Sequence, residues 1–311
     1  MTRPPSPVWI IAGPTASGKT ALAVEIAKRS NGTIINADSM QIYTEIPIIS
    51  AQPTATERGD IPHKLYGYLS ILQRMTAAQW AKDALQEIRM VQANGGQPIL
   101  VGGSGLYLQA LMQGFSPMPD VSQAIRQHVT DLYDMLGPAP FHEALQGIDP
   151  TTAARLHPTD RQRCIRAREI FEASGKPLSH WQAQPKESLA PDFSYRMLVL
   201  LPDREWLYER INKRFDTMVK IGALDEARAV QALNPDPGLT GLQALGLQAL
   251  CDYLDKRVTL FEAIQSGQTQ SRQYAKRQYT WFRGQDLPCG ARLELQHPDR
   301  VNAAEDFFKN V

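Results

Sequence analysis

The chain has 311 residues, 43% of them hydrophobic, which suffices for one large or two modest domains with a proper core. Its 33 Lys and Arg against 32 Asp and Glu leave a net charge of +1, so no global field draws the protein to nucleic acid or anionic lipid, and any such binding must come from local patches. Cys164, Cys251 and Cys289 lie far apart, without a C-x-x-C pair or a histidine at zinc spacing, and are expected to be reduced thiols of a cytoplasmic protein.

Residues 1–7 hold three prolines and one arginine, and the apolar run behind them, Val8 to Ala12, is too short for a signal-peptide core or a membrane span. That run predicts a first strand. Behind it Gly13-Pro14-Thr15-Ala16-Ser17-Gly18-Lys19-Thr20 spells G-x-x-x-x-G-K-[ST] and leads into a helical pattern, Ala21 to Arg29. A glycine-rich turn at a helix start aims backbone N–H groups at one point, the helix dipole favours an anion there, and Lys19 adds a cation. The ligand is expected to carry a polyphosphate. The motif does not say which one, or whether the bond broken is P–O or C–O.

Further strands are predicted at residues 33–36, 64–69 and 98–101, alternating with helical patterns in the rhythm of a parallel, helix-covered sheet. Ligands of such sheets bind at the carboxyl ends of the strands. Two ends carry polar or glycine-rich segments, Asn36-Ala37-Asp38-Ser39-Met40-Gln41 and Gly102-Gly103-Ser104-Gly105. Each reads equally well as a plain turn: Asp38-Ser39 as a helix cap, the glycines as a tight turn before a helix over 106–113.

After Gly114 the segment Ser116-Pro117-Met118-Pro119-Asp120 breaks the pattern. Helical patterns follow at 125–135, 141–145, 151–156 and 161–173, so residues 117–186 are expected to form an inserted all-helical subdomain. Residues 1–116 and 187–311 then form the core. A late strand over 195–201 returns the chain to the sheet, helices run to about Trp281, and the tail is expected to hold one short strand and a closing helix. The fold class is α/β: a P-loop NTPase-like parallel sheet covered by helices, with the helical subdomain inserted.

Positive charge concentrates in two helical segments. Arg161, Arg163, Arg166 and Arg168 fall within eight residues, and Arg272, Lys276 and Arg283 share a helical face beside one lined by Tyr274, Gln278 and Trp281. Cations beside aromatics and amides suit an RNA loop with unstacked bases, while the plainer reading is a solvated helix with aromatics in the core. On the helix predicted over 208–218, Arg210 and Arg214 lie four apart, so either reaches a phosphate or pairs on the surface.

Together the loop 13–20, Ala37-Asp38-Ser39-Met40-Gln41-Ile42-Tyr43, Ile99-Leu100-Val101-Gly102-Gly103-Ser104-Gly105-Leu106-Tyr107, Asp160-Arg161-Gln162-Arg163 and the stretch Arg272 to Phe282 resemble the bacterial tRNA dimethylallyltransferase family. The resemblance covers roughly 280 residues in order, and its middle and last motifs are far more specific than the phosphate loop. It implies transfer of a dimethylallyl group from dimethylallyl diphosphate to N6 of adenosine 37 in the anticodon stem-loop of tRNA, with release of pyrophosphate. It also implies Asp38 and Ser104 as catalytic residues, and Gly13, Thr15, Ala16, Ser17, Gly18, Lys19, Thr20 and Arg214 as diphosphate ligands, with Mg2+ on the Thr20 hydroxyl. Contacts to tRNA are implied for Asp38, Ser39, Met40, Gln41, Ser104, Arg126, Arg161, Gln162, Arg163, Arg166, Arg272, Lys276, Arg277 and Gln278. A monomer without membrane attachment is expected. The chain departs from the family pattern at Ser104, where the family has Thr; at Gln52, where many members carry a base; and at Leu245-Gly246-Leu247-Gln248-Ala249, which lacks the usual aromatic and charged residues.

Three rivals share some of these features. An adenylate isopentenyltransferase uses a similar loop and aspartate but leaves the inserted subdomain and the basic helix without a task. A P-loop small-molecule kinase would take residues 117–186 as a lid and Asp203 as a metal-binding aspartate, leaving Asp38 and the Gly102–Gly105 segment unexplained. A nucleotide-switched RNA-binding protein would use the basic helices and make no use of Asp38.

Overall fold

Six strands form one parallel sheet in the order β3-β2-β4-β1-β5-β6, in a computed structural model that describes residues 7–187, 189, 192–284, 290–293 and 299–309. The first half of the core runs β1 (Val8–Ala12), α1 (Lys19–Ser30), β2 (Gly32–Asn36), α2 (Ala55–Arg58), β3 (His63–Lys64), α3 (Ala77–Ala93), β4 (Gln97–Gly102) and α4 (Gly105–Gln113). Each longer strand is a near-continuous apolar run because helices cover both faces of the sheet. Register sets the site: Ala12 pairs with Gly102 and Asn36 with Val101, so β1, β2 and β4 end level with one another.

The strand expected over 64–69 is much shorter. Leu65 and Gly67 adopt φ of +62° and +51°, a left-handed backbone that no strand can continue, and Leu69 makes only a single bridge to Tyr43. Cys289 and residues 1–6 lie outside the described residues; Cys164 and Cys251 are free and buried.

Residues 113–189 make a compact unit of their own. It contains α5 (Gln123–Leu136), α6 (Pro138–Ile148), α7 (Pro150–Ala153), α8 (Arg161–Ser174) and α9 (Leu178–Gln182). Sequence gives their starts plainly: Ser122 and Asp160 cap α5 and α8, and Pro138 and Pro150 open α6 and α7. The helix expected over 151–156 stops at Ala153. Val129, Phe141, Leu145 and Ile170 form the unit's core. The Asp149 carboxylate ties two of its turns together, accepting from Thr152 N at 3.0 Å and Ser179 N at 2.9 Å.

The chain returns to the core through β5 (Tyr195–Leu200), α10 (Arg204–Ile221), α11 (Ala223–Ala232), α12 (Leu247–Leu254), α13 (Leu260–Gly284), β6 (Gly290–Leu293) and α14 (Arg300–Lys309), so the tail holds the expected strand and helix. Phe308 of α14 stacks on Trp9 at 4.8 Å between centroids and closes the core around Ile11, Leu22, Ile34 and Val101. On the other side α10 crosses α13 at Phe215, whose ring lies so close to Gly246 and Gly267 that an added Cβ would sit 2.4 Å and 2.0 Å from it. Gly267→Ala is therefore expected to destabilise the protein by about 1–3 kcal/mol through overpacking, measurable as a lowered midpoint in urea.

Candidate active site

The phosphate loop is shaped by three left-handed residues, Gly13 at φ +144°, Ala16 at +62° and Gly18 at +86°. Gly13 also admits no side chain, since a Cβ would meet the Leu200 carbonyl at 2.5 Å. Lys19 turns back over the loop and donates to Gly13 O at 2.8 Å and Pro14 O at 2.7 Å. Burial lowers its ammonium from an ordinary value of 10.5 to about 7, an effect opposed by the Asp38 charge and reinforced by Arg214. The loop thus offers an anion a ready set of donors around a cation that is costly to keep charged without one.

Both arginines weighed on α10 reach this loop. Arg214 donates to Thr15 Oγ1 at 2.5 Å and Arg210 to Ala16 O at 3.1 Å. Burial pulls the Arg214 guanidinium down to about 10, again with Asp38 opposing and a neighbouring cation, Arg210, adding.

Asp38 sits two residues beyond the end of β2, on a turn built by Asn36. The fully buried Asn36 side chain accepts from Asp38 N at 2.9 Å and donates to Asp38 O and Leu65 O, both at 3.0 Å. The indole of Trp80 donates to the Asn36 carbonyl from below. One carboxylate oxygen of Asp38 accepts from Met40 N at 2.9 Å. Ser104, buried at the end of β4, accepts from Ser39 N at 2.9 Å and donates to Ser39 Oγ at 3.2 Å, joining the two strand ends. Gln41 donates its amide to Ser50 O and Ala51 O and so holds the segment that follows.

None of the glycines around Ser104 has positive φ, so left-handed backbone is not why glycine stands there. They permit close approach. A Cβ on Gly102 would lie 2.0 Å from Ala37 O, on Gly103 2.2 Å from the Gln278 amide, and on Gly105 2.6 Å from the Trp281 ring.

Gln278, expected at the RNA, has its side-chain amide engaged within the protein. It is only 5% exposed, accepts from Thr15 N at 2.8 Å and donates to Gly103 O at 2.9 Å, bracing the phosphate loop against the end of β4. Arg272, also expected at the RNA, is tied to Asn212 at 2.5 Å and Thr269 at 2.8 Å, pinning α13 to α10. Lys276 and Arg277 remain exposed on α13. Tyr274, beside them, has its hydroxyl held well above the ordinary phenol range by burial and by the Asp38 charge. In the helical unit Arg161, Gln162 and Arg163 are exposed and Arg126 and Arg166 half-buried; Arg161 pairs with Asp134, Arg163 with Asp160 and Arg166 with Glu169.

Two cavities converge on this arrangement. One of about 660 Å³ holds the phosphate loop with Lys19, Thr20, Arg58, Arg210 and Lys213. The other, of about 250 Å³, is lined by Ser39, Met40, Ile49, Phe215, Tyr274 and Arg277. Thr15, Asp38, Ser50, Ala51, Arg214 and Met218 belong to both. Asp38 therefore stands at the seam between an anion-binding chamber and a half-apolar one.

A family model described as IPP transferase matches residues 41–285, which excludes the phosphate loop, so the match does not rest on a motif shared by many families. The chain belongs to the IPP transferase family. A tRNA dimethylallyltransferase of Parvibaculum lavamentivorans is 42% identical over 97% of this IPP transferase and 96% of its own length, and one of Rhodospirillum centenum is 43% identical over 90% and 89%. Among solved structures, the full-length tRNA isopentenylpyrophosphate transferase of Bacillus halodurans superposes with a TM-score of 0.70 at 33% identity, covering 97% of this chain and 95% of that one. A eukaryotic dimethylallyltransferase acting on tRNA gives 0.73 at 28% identity, covering 93% and 74%.

Two supports of this IPP transferase site escape a reading of sequence. Asn36 stood in a quoted motif, and its signal was the asparagine two residues before an aspartate, the pattern of a side chain that builds its own turn. Gln278 is expected at the RNA, because nothing local reveals that it is buried against the phosphate loop. Gln278→Leu is expected to leave Thr15 N and Gly103 O unpaired, costing about 2 kcal/mol of stability. Thermal melts and titration with inorganic diphosphate would show both the loss and a weakened anion site.

Proposed function

We propose that this IPP transferase moves the dimethylallyl group of dimethylallyl diphosphate onto N6 of adenosine 37 in the anticodon loop of tRNA and releases diphosphate. The observation that carries the reading is the position of Asp38 at the seam of the two cavities, beside Lys19, Arg214 and the phosphate loop. The diphosphate occupies the loop. As the C1–O bond breaks, its electron pair stays on the departing diphosphate, where Lys19, Arg214, Arg210 and the loop N–H groups meet the growing negative charge. The allylic carbon tolerates positive charge, so stabilising the leaving group is the main task. The N6 lone pair forms the new C–N bond, and the Asp38 carboxylate takes the N6 proton. Ser104 keeps the Asp38-Ser39 turn against β4.

The oxygen donors near the loop fit a hard divalent ion such as Mg2+, since such ions keep waters and phosphate oxygens and need few protein ligands. Thr20, which lines the phosphate chamber, would hold it together with the diphosphate oxygens. When bound, the ion neutralises diphosphate charge.

A flipped adenosine enters from the half-apolar cavity, with Ser39, Met40 and Arg277 at its wall. Arg126, Arg161, Gln162, Arg163 and Arg166 of the helical unit, and Lys276, are the proposed backbone contacts. The protein works as a monomer in the cytoplasm. No described helix is long and apolar enough to cross a membrane. The kinase alternative lacks support for its metal aspartate, because Asp203 caps α10 by accepting from Glu205 N and Trp206 N and lines neither cavity.

Radiolabelled dimethylallyl diphosphate, offered with an unmodified anticodon stem-loop, AMP or ATP, tests the reading. Label is expected on the stem-loop alone, reduced about a hundredfold or more in Asp38→Ala. Label on AMP, or hydrolysis of ATP without transfer, would overturn it. The lowered Lys19 value gives a second expectation. Above pH 7 a growing fraction of Lys19 is neutral, and a bound diphosphate restores the ammonium, so binding takes up protons at pH 8 and ceases to do so well below pH 7. Calorimetry of dimethylallyl diphosphate binding in buffers of different ionisation enthalpy should show this uptake in wild type and its loss in Lys19→Met.

A further inference from the structure

Residues 46–52 form a wall that both cavities share. Ile49 lines the smaller one, Pro47, Ile48 and Gln52 line the larger, and Ser50 and Ala51 line both. The segment is not a regular element; it folds on itself through Ser50 N and Oγ to Ile46 O, with Ala51 at φ +56°. These turn bonds, with Ala51 N to Ile48 O and Gln52 N to Pro47 O, shape the segment from within, and two side chains fix it from outside. Gln41 holds the carbonyls of Ser50 and Ala51 on one side. On the other, the carboxylate of Glu226, in the first turn of α11, accepts from two consecutive amides, Ile48 N at 2.7 Å and Ile49 N at 2.8 Å. These are charge-assisted bonds, and the N-terminus of α11 favours the same negative charge. The carboxylate is half-buried, so the two N–H groups replace water that it would otherwise keep. Nearby, a Cβ on Gly222 would stand 3.2 Å from Ile48 Cδ1, so the α11 start and the wall are already in close contact.

We propose that Glu226 is a positioning residue that hangs the apolar wall of residues 46–52 at the seam of the two cavities and thereby sets how the prenyl group of the donor is held beside Asp38. This rests on the transferase reading for the identity of the donor. The Glu226 carboxylate bonds Ile48 N and Ile49 N and no group of the phosphate loop or Asp38, so its effect reaches the donor through the apolar side chains of the wall and is expected on the hydrocarbon part of the substrate. A residue with a merely structural role would weaken both equally.

The test compares Glu226→Gln with wild type by hydrogen exchange and by titration with dimethylallyl diphosphate and with inorganic diphosphate. Glutamine keeps the size but loses the charge and turns an NH₂ group toward one of the two amides. Exchange at Ile48 and Ile49 is expected to quicken roughly ten- to a hundredfold, the scale of one or two charge-assisted bonds. Affinity for dimethylallyl diphosphate is expected to fall about tenfold while inorganic diphosphate binds unchanged. Asp225→Asn, at an exposed carboxylate that pairs with Arg228, should alter none of these. If Glu226→Gln does not fold, Glu226→Asp retains the charge on a shorter stem and should show the same differential loss. Unchanged exchange in the segment, or equal losses for the two ligands, would overturn the proposal. Wild type that binds inorganic diphosphate no more weakly than the prenyl ester would instead overturn the donor assignment, with the exchange result still reading the clamp.

Discussion

The active site depends on how closely the ends of β2 and β4 approach. Between Gly102 and the Ala37 carbonyl there is no room for even a methyl group, and the level register of β1, β2 and β4 brings the phosphate loop to the same edge. From that contact the remaining parts follow. Ser104 can reach Ser39, the Asn36 turn can present Asp38 toward the loop, and α13 can lay Gln278 across the gap to hold Thr15. A larger residue at 102 would push the Asp38 turn away from the phosphate loop, so the glycine has a geometric task that backbone freedom does not explain.

Around that scaffold the charges are uneven by design. Lys19 and Arg214 are both pushed toward neutrality by burial, and the Asp38 charge works against this for each. One carboxylate thus partly offsets two buried cations. In the proposed reaction a diphosphate gives both cations a stronger partner, and the carboxylate that balanced them is the group proposed to take the N6 proton.

Much of this was legible in the sequence because it is written locally. The phosphate loop, the apolar strands and the capped helices each depend on neighbours within a few residues, and they lie where periodicity places them. The failures are of two kinds. Residues 64–69 carry a strand-like composition, but Leu65 and Gly67 turn left-handed, and a backbone choice of that sort leaves little trace in hydropathy. Gln278 and Glu226 are polar residues whose partners stand 263 and 178 residues away, so local pattern assigns them to the surface. The family resemblance assigned Gln278 to the RNA and passed over Glu226, since a brace is recognised only by what it touches.

The arginines of α8 enter the structure already engaged, Arg161 with Asp134, Arg163 with Asp160 and Arg166 with Glu169. Each carboxylate is a built-in counterion. A polyanion docking there displaces a tethered acid in place of a dissolved cation, so fewer small ions are set free than the number of arginines suggests. Such a surface trades some raw attraction for a milder response to ionic strength, and it discourages loose adhesion to any passing phosphate chain. The near-zero net charge of the chain has the same effect at long range, leaving shape and the reach of individual side chains to select the partner.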